Sequence, residues 1–377
     1  MDPTDKPMPD RPSEQTGKAA AFLELVGSFK RILILPHDNP DPDALASAAG
    51  LRFLIAEKLQ KNATIAFRGL IGRAENRALL SALEIPLQHV EDCLPNFKGA
   101  IVLVDTQPGR KNNALPPNVK PTAVIDHHPD WGNNEGVPFT DLRTGYGATS
   151  TIVTEYLAES EITIDPRIAT ALFYGISSET QYLGRETKSA DIVACQFLYP
   201  YLNKRLLAAI QFPALPAQYF HLIDEAIRNA QLYGDVVVAV LRGVPYPDAV
   251  AEVADFLVRL DSAQWALCLA PYGGFLYVSA RTKDPDAAAG HLLASILPSG
   301  SAGGHGMIAG GRVRATKKKS KEVARKLIDS FLQALGRNGA TPQPLLARKS
   351  RQRNFVVRRN LPNPPEKPAK SVRGTAA

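Results

Sequence analysis

The sequence predicts an α/β protein of two domains: a mainly parallel sheet flanked by helices, then a smaller α/β domain. Three observations carry this reading. Apolar strand-like runs alternate with helical stretches on βαβ spacing between residues 31 and 177. The chain is 377 residues long, more than one core usually serves. A second series of apolar runs opens near Gly234, after a stretch from Ala190 to Tyr233 that reads as wholly helical. The expected divisions are 1–18 as a polar N-terminus, 19–190 as the first domain, 191–233 as a helical connector, 234–337 as the second domain and 338–377 as a tail.

Met1–Lys18 is polar and Pro-containing and reads as disordered. Ala19–Lys30 is a short helix leading into the strand Arg31–Pro36, which ends at His37. Asp43–Gln60 is helical, and Ala44, Ala46, Ala48 and Ala49 give it a low face for close packing. Ala63–Phe67 is a strand, Arg73–Leu83 a helix, and strands begin again at Ala100 and Pro121. A Gly/Pro-rich loop, Trp131–Gly145, leads to Gly147-Ala148-Thr149-Ser150-Thr151 at the start of a helix. Free amides and hydroxyls there suit an anion, and equally suit plain capping. Asp165-Pro166 opens the next helix as cap and first-turn proline. Beyond Gly234 come a strand (Val236–Leu241), a helix (Pro247–Leu260) and a hairpin (Trp265–Ala270, Phe275–Arg281) turned at Tyr272-Gly273-Gly274. Ala287–Leu297 is helical, residues 301–306 form a glycine-rich loop, and Lys318–Leu335 is an amphipathic helix.

The net charge of +7 suggests nucleic acid until it is located. Asn338–Ala377 holds nine Lys/Arg and one acid, whereas the rest holds 35 basic and 36 acidic residues. Basicity therefore belongs to the tail, read as disordered and as the one stretch suited to contact with nucleic acid. The N-terminus lacks the apolar core of a signal peptide, and no apolar run approaches a membrane span. Cys93, Cys195 and Cys268 are scattered, as in free thiols of a reducing cytoplasm. The expectation is a cytoplasmic protein with no membrane contact, and no pattern encodes its oligomeric state.

Three strand ends carry the chemistry. The first is followed by His37, Asp41 and Asp43, the second by Asp105, and the third ends in Asp126-His127-His128. Ligands of open α/β sheets bind beyond such carboxyl ends. Any one of these residues alone reads as a cap or turn residue; at successive strand ends they converge. Carboxylates and imidazoles without cysteine suit Mn²⁺ or Mg²⁺ rather than structural zinc. Two such ions about 4 Å apart can clamp a phosphoryl displacement. His89, His221 and His291 have no such context and read as surface or packing residues.

His37-x-x-Pro40-Asp41-x-Asp43-Ala44-x-x-Ser47, Val104-Asp105 and Asp126-His127-His128 resemble the first three motifs of the DHH phosphoesterase superfamily. Arg281 after a strand, with Gly303-Gly304-His305 and Ala309-Gly310, is similar to the superfamily's C-terminal substrate-binding domain, DHHA1. Order and spacing resemble the oligoribonuclease and 3′-phosphoadenosine-5′-phosphate phosphatase branch. The resemblance implies two divalent ions, manganese favoured and magnesium the alternative. It places His37, Asp41 and Asp105 on one ion, and Asp43, Asp105 and His127 on the other. Asp126 would orient the histidines, His128 would sit against the scissile phosphate, and Arg281, Gly303, Gly304 and His305 would hold the rest of the substrate. The implied activity is hydrolysis of short RNA or DNA oligonucleotides or nucleoside 3′,5′-bisphosphates by water activated between two metals.

The fourth motif departs from the pattern. The family's Gly-Ile-x-x-Asp-Thr is here Gly175-Ile176-Ser177-Ser178-Glu179-Thr180, which makes Glu179 the expected ligand with one methylene more. The glycine signature also lacks one glycine before His305. Two other readings stand beside the nuclease: a nucleotide-binding regulator with little turnover, disfavoured by the retained ligands, and an inorganic pyrophosphatase, disfavoured by a glycine loop better fitted to a nucleotide. The sequence does not rank oligonucleotides, adenosine bisphosphate and linear signalling dinucleotides.

Overall fold

The computed structural model describes residues 17–84, 86–110, 112–184, 187–298, 301–316 and 318–346, with the side chain of His305 also outside the description. The first domain runs through α1 (Lys18–Gly27), β1 (Ile32–Leu35), α2 (Pro42–Leu59), β2 (Ala63–Phe67), α3 (Ala74–Leu83) and β3 (Leu87–His89). It continues with α4 (Val90–Cys93), β4 (Ala100–Val104), β5 (Ala123–Asp126), β6 (Phe139–Leu142), α5 (Thr149–Glu159), α6 (Pro166–Glu179), α7 (Ser189–Leu198) and α8 (Lys204–Gln211). All six strands are parallel, in the order β3-β2-β1-β4-β5-β6. Every residue of β1, β4 and β5 is buried, as expected of aliphatic strands covered on both faces. One face packs on α1, α2, α5 and α6, and the other on α4 and the loops around Phe97, Leu115 and Val119.

Strand order reverses between β1 and β4. Strands β2 and β3 extend to one side and β5 and β6 to the other, so the carboxyl ends of β1 and β4 flank a topological switch point.

The second domain contains α9 (Ala217–Asn229), β7 (Gln231–Tyr233), β8 (Val236–Val240), α10 (Ala249–Leu257), β9 (Trp265–Tyr272), β10 (Phe275–Thr282) and α11 (Ala289–Ile296). Then come β11 (Ala302–His305), β12 (Ile308–Arg314), α12 (Ser320–Ala334) and β13 (Gln343–Pro344). Its seven strands run β11-β12-β10-β9-β8-β7-β13, antiparallel except for the β8–β9 pair. Helices α11 and α12 cover one face, α9 and α10 the other. Among the described residues no helix is long and apolar enough to cross a membrane.

Four expectations change. The glycine-rich stretch is not a loop: Gly303 and Gly310 pair across a β11–β12 hairpin. Residues 131–145 hold the strand β6. The stretch 190–233 is broken into separate helices, with one 3₁₀ turn at Tyr199–Tyr201, and ends in β7. Residues 343–344, assigned to the tail, add β13 to the second sheet, and the Leu345 amide donates to the Ala230 carbonyl at 3.0 Å. The rest of the expected tail, from residue 347, and the N-terminal residues 1–16 lie outside the described residues.

Candidate metal centre

Each histidine of interest is anchored through one ring nitrogen. His37 follows β1 and donates Nδ1–H to the Asp38 carbonyl at 2.9 Å; His127 follows β5 and donates Nδ1–H to the Tyr146 carbonyl at 3.2 Å. Both rings therefore turn Nε2 inward, where it lies 3.6 Å from an Asp105 carboxylate oxygen in each case. Fixing one nitrogen on a carbonyl and leaving the other a lone pair is how proteins orient metal-binding imidazoles. Asp38 is held in turn by Arg68, whose Nε reaches Oδ1 at 2.8 Å and whose Nη2 reaches Oδ2 at 2.5 Å.

Asp105 is the hinge of the arrangement. It follows β4 with a left-handed backbone (φ 59°), a conformation Asp tolerates better than most residues. Its amide still donates to Ile125 at 3.0 Å, so the ladder continues while the carboxylate turns into the crevice. Thr149 Oγ1 donates to Oδ1 at 2.8 Å. Two sets of possible ligand atoms share this carboxylate: His37, Asp41 and Asp105, and Asp105, His127 and His128. Neither Asp43 nor Glu179 belongs to either set.

Asp43 does something the sequence did not suggest. Its two carboxylate oxygens accept the Thr149 and Ser150 amides at 2.7 and 2.8 Å, at the first turn of α5. The Gly147 amide is likewise taken, by Asp191 at 2.9 Å. The anion expected at this helix terminus is thus internal. Gly175 of α6 makes the approach possible, since a Cβ there would meet Ser150 Oγ and press on the Asp43 backbone. Glu179, at the end of α6, is near enough for its charge to raise both Asp43 and His128.

His128 is placed differently from the other two histidines. Its Nδ1 donates to Asp126 Oδ1 at 2.8 Å, and Gln107 Nε2 holds the other Asp126 oxygen at 2.8 Å. Burial favours the neutral ring. The Asp126 bond and the Asp105 and Glu179 charges overcome it and raise His128 to about 9. His37, between Asp41 and Asp105, is raised against burial to about 10. Burial first, and then Asp105, Asp41 and Glu179, push the Asp43 carboxyl well above its ordinary range. Such a concentration of negative charge, held together by protons, suits cations. The fit is also marked by His127 Nε2, which is buried without a hydrogen-bond partner and faces Asp105.

The second domain meets this edge through α10 and the turn before it. Tyr246 packs on Gly72, the Arg73 guanidinium lies 3.8 Å from Asp255, and the Asp248 carboxyl, raised by burial, also feels Arg73, Asp41 and His37. Arg281 is buried, and its guanidinium is engaged by Asp255, Ser279 Oγ (2.8 Å) and the carbonyls of Ala280 (2.9 Å) and Ala309 (3.3 Å). It does not present the open fork expected of it. Gly303 and Gly304 lie in β11; the His305 side chain is outside the described residues. Sequence reasoning missed Gln107 and Arg73, neither of which belongs to a motif, and read Thr149 as a cap or anion-site residue rather than as the hydroxyl held on Asp105.

Fold and crevice together define an α/β protein built around a carboxylate–imidazole site suited to divalent cations. The profile of the DHH family, N-terminal domain, matches residues 31–176, which makes the first domain a DHH-family domain. It is 34% identical over 309 residues to an uncharacterized protein of Methanocaldococcus jannaschii, covering 80% of this chain but spanning only 63% of that protein's length. A probable bifunctional oligoribonuclease and PAP phosphatase NrnA of Streptococcus mutans is 24% identical over 73% of this chain and 91% of its own length. A probable manganese-dependent inorganic pyrophosphatase of Lactobacillus gasseri is 28% identical over 61% of this chain and 76% of its own. In fold, an exopolyphosphatase-related protein from Bacteroides fragilis superposes with a TM-score of 0.67 at 14% identity, covering 85% of this chain and 98% of that one.

Proposed function

We propose that this protein is a divalent-metal-dependent phosphohydrolase that cleaves short oligonucleotides or nucleoside 3′,5′-bisphosphates, with Mn²⁺ as the preferred ion and Mg²⁺ as the alternative. The observation that carries this reading is the pair of ligand sets sharing Asp105 at the switch point. His37, Asp41 and Asp105 would hold one ion. Asp105 and His127 would hold the other, with Asp43 and Glu179 around it. Bound there, divalent ions neutralise phosphate charge and make water a better nucleophile near neutral pH.

The protein's own groups do the rest. Thr149 and the Asp105 backbone aim the shared carboxylate. Asp126 accepts the His128 Nδ1–H and so fixes the orientation of this ring beside Asp105. Arg281, Gly303, Gly304 and His305 would anchor the far end of the substrate, and for Arg281 that means exchanging Asp255 for a phosphate. Resemblance to the NrnA relative along most of both chains supports the nucleotide substrate; resemblance to pyrophosphatases supports the metal.

The test is hydrolysis of two- to five-nucleotide RNA, adenosine 3′,5′-bisphosphate, linear dinucleotides and pyrophosphate by the full chain with Mn²⁺ or Mg²⁺. Release of mononucleotides from the short RNA is expected. Turnover of pyrophosphate alone would overturn the nucleotide reading.

A further inference from the structure

We propose that Trp131, backed by Arg110, is a stacking surface for a nucleobase beside the metal centre, and so the feature that separates nucleotide from inorganic substrates. The proposal rests on the phosphohydrolase reading and adds the base as a recognised part of the substrate.

The chain has two tryptophans. Trp265 is buried in the second domain, edge-on to Phe331 with centroids 5.6 Å apart. Trp131 is 47% exposed, three residues after His128. Single exposed rings are ordinary, and several here are more exposed; what sets Trp131 apart is its place three residues from His128, with Arg110 against its face. The Arg110 guanidinium lies 3.9 Å from the indole centroid, near enough for a cation–π contact. Arg110 also feels the charge of Asp126, which places the pair beside the centre.

The ring is held on a built loop. The Trp131 amide donates to Gln107 Oε1 at 3.2 Å, and Asn134 Nδ2 donates to the same oxygen at 3.1 Å. Asp130 Oδ1 accepts the Gly132 amide at 2.8 Å and Asn134 Nδ2 at 2.9 Å, closing the turn. Through its Nε2, Gln107 binds Asp126. One side chain therefore fixes the position of Trp131 relative to the Asp126–His128 pair. Every base has a π-face, so an indole recognises nucleotides with little regard to sequence. Pyrophosphate has no such face and gains nothing from it.

The test uses the full chain and three probes: adenosine 5′-monophosphate, ribose 5-phosphate and pyrophosphate. Indole emission is read in wild type and in Trp131→Phe, whose difference isolates Trp131, and binding is followed in parallel by calorimetry. The monophosphate should quench the Trp131 component, and the two base-free probes should leave it unchanged. In turnover of a dinucleotide, Trp131→Leu should raise KM by roughly tenfold to a hundredfold with kcat little changed, while Trp131→Phe keeps most of the affinity. Calorimetric binding of the monophosphate without quenching, or equal KM in the Leu and wild-type proteins, overturns the platform. If no nucleotide is hydrolysed yet the monophosphate still quenches Trp131, the platform stands and the hydrolase reading falls.

Discussion

Two clusters, one in each domain, answer the problem of buried charge in opposite ways. At the carboxyl ends of β1, β4 and β5, five acids (Asp41, Asp43, Asp105, Asp126 and Glu179) crowd together with histidines as their nearest cations, and the shortfall is made up by protons. In the second domain the buried cation Arg281 is fully met by Asp255, Ser279 and two carbonyls. The first arrangement is incomplete and suited to cations; the second is complete and, under the proposed function, would have to open to hold a phosphate. Whether the charges of a cluster balance within the chain is thus what separates these two places in one molecule.

The strongest way to break that contrast is Asp105→Asn, which keeps a side chain that tolerates the left-handed backbone and removes the shared charge. Activity is expected to fall to background, with metal stoichiometry by mass spectrometry dropping from two ions to one or none; two ions still tightly bound would refute the shared-ligand role. Thr149→Val is next. It removes the hydroxyl that aims Asp105 but leaves the amide on Asp43, so Mn²⁺ affinity by calorimetry should weaken about tenfold to a hundredfold.

The second domain sharpens the contrast with paired changes of opposite sign. Arg281→Ala should raise KM about tenfold or more without touching metal binding, as loss of a charge-assisted anchor does. Asp255→Asn should lower KM, within about fivefold, because it loosens the competitor for the same guanidinium. If both variants shift KM in the same direction, the exchange of Asp255 for phosphate is wrong.

The smallest expected effect lies between the domains, at Glu252 on α10. Burial first raises its carboxyl from the ordinary 4.5 to about 7, with Arg73 and Tyr246 pulling it back. The folded chain then holds a proton that the unfolded chain has released, so stability should fall as pH rises from about 4.5 to about 7 and level off above that. Glu252→Gln cannot ionise and should flatten this slope, raising the thermal midpoint at pH 8 by roughly a few degrees. An unchanged profile in the Gln variant would show that Glu252 is not the titrating group.

Legibility in the sequence followed length and apolarity. β1, β2, β4, β5, β8, β9 and β10 are rich in apolar residues and were visible. β3 and β7 are three residues long, β6 is Phe-Thr-Asp-Leu inside a Gly/Pro-rich stretch, and the β11–β12 hairpin is rich in glycine, so no apolar period marks any of them. His37, Asp41, Asp105, His127 and His128 were legible because strand ends deliver them. The grip of α5 on Asp43 was not, since it joins residues 106 apart at the first turns of two helices. Nor was the pairing of Arg281 with Asp255, 26 residues away on a helix of the opposite period.

The bonds from α5 to Asp43 have a kinetic consequence. Thr149 and Ser150 position this carboxylate when the domain folds, and the His37 and His127 rings are likewise set by backbone carbonyls. Under the proposed function these bonds would set the crevice without an ion's help, so ligand ordering would not be left for the moment of capture. Stripping the protein with a chelator should leave a folded, storable species that reloads at the rate of ion dehydration and proton release rather than of refolding.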